Sequence, residues 1–115
     1  MRTLVAGVGL LWTMSSALAH PELMEATPRD GSTVASSPSE VRLTFTERIE
    51  PRLSGAEIKD ASGRRAKAAR IRVEGSQAII PVGEALSPGR YRVNWYVTGA
   101  DTHRVEGTIT FEVKP

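Results

Sequence analysis

The chain contains no cysteine. Disulfide staples, thiolate metal ligation, a catalytic thiol and a lipidated cysteine anchor are therefore excluded. Methionine is almost as scarce. Beyond residue 19 only Met24 is left, so no thioether cluster for a soft cation can form. No apolar run reaches the roughly 20 residues that a membrane-spanning helix needs. The longest is residues 4–12 (LVAGVGLLW). No strong charge imbalance exists either: 15 Lys and Arg stand against 13 Asp and Glu. The basic residues are scattered, and the one local cluster, Arg64, Arg65, Lys67 and Arg70, reads as a solvated loop or strand edge. Nothing here calls for a nucleic-acid partner. Helical periodicity, internal repeats and low-complexity segments are missing throughout residues 20–115.

What is present begins at the amino end. Met1-Arg2-Thr3 is a short basic start, followed by the apolar run and then Ser15-Ser16-Ala17-Leu18-Ala19. This is the three-part layout of a secretory signal peptide with a small-residue cleavage site. The expected organisation is a signal peptide over 1–19 and a single domain over 20–115. Cleavage after Ala19 makes His20 the new terminus and removes Arg2, lowering the whole-chain formal charge of +2 by one. The processed form should not span a membrane.

Residues 20–115 alternate with a period of two. In 40–47 (EVRLTFTE), Val41, Leu43 and Phe45 share one face, with Glu47 next in line. In 90–98 (RYRVNWYVT), Tyr91, Val93, Trp95 and Val97 do the same. Residues 105–113 alternate through Ile109, Phe111 and Val113. Shorter strands are expected over 22–27, 56–60, 67–74 and 77–82. Turn residues separate them: Pro28 to Ser32, Ser36 to Ser39, Ala61 to Gly63, Gly75-Ser76 and Leu86 to Gly89. About seven short strands, each burying one face, predict an all-β antiparallel sandwich with Trp95, Phe45, Phe111 and Tyr91 in its core.

The domain holds only two histidines, His20 and His103. A free terminal His20 would offer two nitrogen donors, the α-amine and the imidazole. Asp101 and His103 are two apart, and in an extended segment such residues project to the same side. Together they supply amine, imidazole and carboxylate donors, a set that suits tetragonal Cu(II). Zinc could take the same donors in tetrahedral geometry. Glu47, on the apolar face at a strand's end, must be paired, at the rim or bound to something.

The motifs then resemble the CopC family of copper-binding proteins nearly end to end. They are His20-Pro21-x-Leu23, Thr27-Pro28-x-Asp30-Gly31-Ser32, Leu43-x-Phe45-Thr46-Glu47, Gly89-x-Tyr91-x-Val93-x-Trp95, Asp101-Thr102-His103 and Gly107-x-Ile109-Thr110-Phe111-x-Val113. The resemblance implies an immunoglobulin-like Greek-key β-sandwich, periplasmic localisation and a Cu(II) site of His20, Asp101 and His103. Glu47 is implied as a weak or outer ligand. It also implies a role in copper homeostasis or resistance, without catalysis, alongside a CopD-type inner-membrane copper transporter. Well-known members carry a methionine-rich loop for Cu(I). Here the matching stretch, 59–77, has no Met, so one Cu(II) site is expected.

Two other classes compete. A copper oxidase or monooxygenase would use His20 and His103 as a brace, but would need an open coordination position and a substrate surface. A metal-free immunoglobulin-like interaction module would leave His20 and His103 at opposite ends of the sandwich.

Overall fold

The computed structural model describes residues 20–66, 68 and 70–115, together with Thr3, Gly7 and Gly9. The expected signal peptide lies largely outside the described residues. No helix among the described residues is long and apolar enough to cross a membrane.

Eight strands form in chain order: β1 Leu23–Thr27, β2 Ser32–Val34, β3 Glu40–Phe45, β4 Gly55–Asp60, β5 Arg72–Glu74, β6 Gln77–Pro81, β7 Gly89–Thr98 and β8 Arg104–Val113. They make two four-stranded sheets, ordered β1-β3-β6-β5 and β2-β8-β7-β4. The sheets pack face to face as an all-β, immunoglobulin-like Greek-key sandwich. One short 3-10 turn, Pro51–Leu53, interrupts the strands.

The alternation explains the core. Val41, Leu43 and Phe45 from β3 meet Tyr91, Val93, Trp95 and Val97 from β7 and Ile109, Phe111 and Val113 from β8. Phe45 is 1% exposed, and its ring meets Trp95 edge to face, with centroids 5.0 Å apart. Tyr91 stacks on Phe111, while its hydroxyl donates to the Ser87 carbonyl at 2.6 Å. A buried tyrosine thus keeps a partner for its one polar atom.

The expectation needs three corrections. First, Ser32–Val34 is a strand, and it pairs parallel with β8, so the sandwich is not wholly antiparallel. Asp30 anchors it: its Oδ1 accepts the Thr110 N–H at 2.8 Å. Second, β3 stops at Phe45. Thr46 turns away to pair with Glu22, and Glu47 is exposed instead of continuing the apolar face. Third, the strand expected over 67–74 is confined to Arg72–Glu74, with Ala68 making only an isolated bridge to Val82. Lys67 and Ala69 lie outside the described residues.

β7 and β8 are ten residues each and paired along their whole lengths. Their connection, residues 99–103, is held at one end of the sandwich by this rigid ladder. The 3-10 turn braces the same end. Thr98 Oγ1 donates to the Leu53 carbonyl at 2.8 Å. Ser54 Oγ donates to the Glu50 carbonyl, also at 2.8 Å. Ser54 and Thr98 are buried polar residues, and these bonds satisfy their hydroxyls.

Candidate metal centre

The β7–β8 connection is a tight turn. The Thr102 N–H donates to the Gly99 carbonyl at 3.0 Å. Thr102 itself sits at φ 66°, a left-handed conformation that a β-branched residue rarely adopts. Asp101 and His103 therefore converge because the chain turns sharply between them, not because the segment is extended. One carboxylate oxygen of Asp101 is used locally, with Oδ1 accepting the His103 N–H at 3.2 Å.

The left-handed residue gives a prediction. Left-handed backbone costs a non-glycine residue about 1–2 kcal/mol, and glycine loses about 0.5–1 kcal/mol of entropy in compensation. Thr102 is exposed, so its side chain buries little. Thr102→Gly should leave the protein as stable or raise its stability by up to about 1 kcal/mol. Thermal denaturation checks this, and a lowered midpoint would contradict it.

The other carboxylate oxygen, Asp101 Oδ2, faces His20 Nδ1 and lies 3.4 Å from His103 Nδ1. The imidazoles themselves are 4.9 Å apart between centroids. The carboxylate is sunk, at 7% side-chain exposure, while the imidazoles are 57% and 69% exposed. Oδ2 is buried, and its partners are the two ring nitrogens, His20 Nδ1 and His103 Nδ1. A buried carboxylate oxygen needs a charged or hydrogen-bonding partner. Two imidazoles supply it here, and the same three side chains offer the donor atoms that a cation would take.

Burial pushes the Asp101 carboxyl towards higher pKa. The His103 N–H hydrogen bond and the charges of His20 and His103 outweigh it, and the net result is a pKa below the usual aspartate value. Asp101 therefore stays a carboxylate at neutral pH, ready to ligate.

Of the four residues singled out by sequence, the structure brings three together. His20, Asp101 and His103 each offer a ligand atom, all within 4.8 Å of one another. Glu47 is not in this group. The metal-free alternative expected the two histidines at opposite ends, and they are adjacent. Pro21 belongs to a motif in the sequence without a role being legible for it, and Gly99 belongs to none of the motifs. Pro21 is among the fully buried side chains, and it packs directly against Gly99. A proline beside His20 was the available signal, but its glycine partner lies 78 positions on.

Fold and site together define a class: a small β-sandwich that gathers a near-terminal histidine and an Asp-x-His turn into one cluster of metal-ligand type. The CopC domain profile matches residues 23–114, and the chain belongs to the CopC family. It is 38% identical to copper resistance protein C of Xanthomonas campestris pv. juglandis, over 97% of this chain and 94% of that one. Its fold is similar to the crystal structure of CopC from Methylosinus trichosporium OB3b, with a TM-score of 0.78 and 31% identity, covering 84% of this chain and 95% of that one. PcoC of Escherichia coli, described as a methionine-rich copper resistance protein, gives a TM-score of 0.75 and 33% identity over 84% of this chain and all of that one.

Proposed function

We propose that this chain is an exported Cu(II)-binding protein of the periplasm that buffers or carries copper in homeostasis or resistance and is not an enzyme. The observation that carries the reading is the meeting of His20, Asp101 and His103, with one ligand atom from each within 4.8 Å of the others. The copper resistance proteins among its relatives support the choice of metal. In this reading residues 1–19 are a signal peptide, and its removal frees the His20 α-amine as a further donor. The donor set is then amine, two imidazoles and one carboxylate, which favours Cu(II). Glu47 acts from outside the cluster, as a weak or outer ligand. The absence of Met in 59–77 leaves no soft site, so Cu(I) is not a second cargo. A CopD-type inner-membrane copper transporter is the proposed partner.

Nitrogen donors must be free of protons to bind a metal, so affinity should fall as the solution is made more acidic. The test is titration of Cu(II) into the exported, processed protein, followed by Trp95 fluorescence and electron spin resonance. We expect one copper per chain with a tetragonal spectrum, and His103→Ala should weaken binding markedly. Copper binding that ignores His103→Ala would overturn the assignment.

A further inference from the structure

We infer that Gly99 and Pro21 form a steric lock that positions the terminal histidine against Asp101, making Gly99 a positioning residue of the metal centre. The inference rests on the copper-site reading above, and it concerns how that site is held together.

His20 precedes a proline, which biases its backbone towards extended conformations. Pro21 has a fixed φ and no N–H, so it can be buried without leaving a donor unsatisfied. It is buried almost completely. The next residue is tied down by two hydrogen bonds: Glu22 N–H to Thr46 Oγ1 at 3.0 Å, and Thr46 N–H to the Glu22 carbonyl at 2.9 Å. The terminal residue thus leaves a rigid platform with few free torsions. A ligand held this way loses less entropy when metal binds.

Gly99 is the surface on which Pro21 rests. A β-carbon at residue 99 would fall 2.7 Å from Pro21 Cδ and 3.2 Å from Asp101 Oδ1. It would therefore wedge between the platform of one ligand and the carboxylate of another. Neither side yields easily. The proline ring is rigid and buried, and Gly99 is held by a bridge to Ile49 and by the Thr102 N–H on its carbonyl. Gly99 has no positive φ, so the need for glycine here is one of space and not of backbone conformation.

The experiment compares Gly99→Ala, Pro21→Ala and the double variant with wild type, all exported and processed from the full chain. Supporting groups behind metal ligands typically contribute about 10–100-fold to affinity. Gly99→Ala should raise the Cu(II) dissociation constant by about that factor and alter the nitrogen hyperfine pattern, while thermal unfolding remains cooperative. Removing the proline ring makes room for the added methyl. The double variant should therefore bind no more weakly than Pro21→Ala alone. A wild-type dissociation constant for Gly99→Ala, or additive losses in the double variant, would overturn the lock. If Gly99→Ala does not fold, Pro21→Ala decides alone: weakened copper binding supports the lock, and unchanged binding overturns it. A metal-independent readout separates this from the copper reading. In metal-free protein, nuclear Overhauser contacts between the His20 and His103 rings should be present in wild type and lost in Gly99→Ala. Their persistence in the variant sinks the lock whatever the copper result. Their loss supports the lock even if wild type fails to bind copper.

Discussion

A chain carrying one extra residue ahead of His20 should bind Cu(II) about 10²–10⁴ times more weakly than the chain that starts at His20. The extension changes no side chain and no element of the fold. It converts the terminal amine into a peptide amide, which is a poor donor near neutral pH. Two donors on one residue reach the metal as a chelate, so the second binds at a high effective concentration once the first is placed. The imidazole of His20 should remain beside Asp101 in the extended chain, since it lies there in the full 115-residue chain, where other residues precede it. The loss therefore isolates the amine. Competition titration against a chelator of known affinity measures it. Equal dissociation constants for the two chains would mean that processing creates no ligand.

Phe45→Ala should cost about 3–5 kcal/mol of stability, the largest effect on folding that a single truncation in this core should produce. Phe45 is 1% exposed and closes against Trp95 in an edge-to-face contact. It belongs to β3 and Trp95 to β7, so the pair joins the two sheets. Removing the ring forfeits its transfer free energy, leaves a cavity and breaks an aromatic contact. A domain of this size has a total stability on the order of 5–15 kcal/mol. The thermal midpoint should fall by roughly 15–30 °C. No cysteine is present to compensate through a cross-link. Calorimetry of the metal-free protein checks the value. A fall of less than about 5 °C would mean that this part of the core repacks freely.

Much of this was legible in the chain because strand periodicity depends on immediate neighbours. β3, β7 and the second half of β8 each write their buried face as alternate apolar residues, and those residues form the core. The Ser32–Val34 strand was not legible. It has three residues, carries no apolar alternation, and exists because β8 lies alongside it some 80 positions later. Glu47 misled because the alternation through Val41, Leu43 and Phe45 has no visible end, while the real end comes from Thr46 pairing with Glu22. Arg72–Glu74 was overextended for a similar reason.

The candidate site divides in the same way. Which side chains would cluster was readable, since a domain with only two histidines offers few choices. The means of bringing them together was not. The spacing of Asp101 and His103 suggested an extended segment, whereas the chain places Thr102 in left-handed backbone and turns. The packing of Pro21 on Gly99 is a contact between distant positions and leaves no local trace.

The central claim is that His20 gives both of its nitrogens to copper. The measurement that bears on it most directly is the hyperfine spectrum of Cu(II) bound to exported protein labelled with nitrogen-15 in histidine alone. Since the α-amine and both imidazoles belong to histidines, every strongly coupled nitrogen should change isotope, with one of them of aliphatic amine character. A strongly coupled nitrogen that stays unlabelled, or a spectrum showing imidazole nitrogens only, would contradict it.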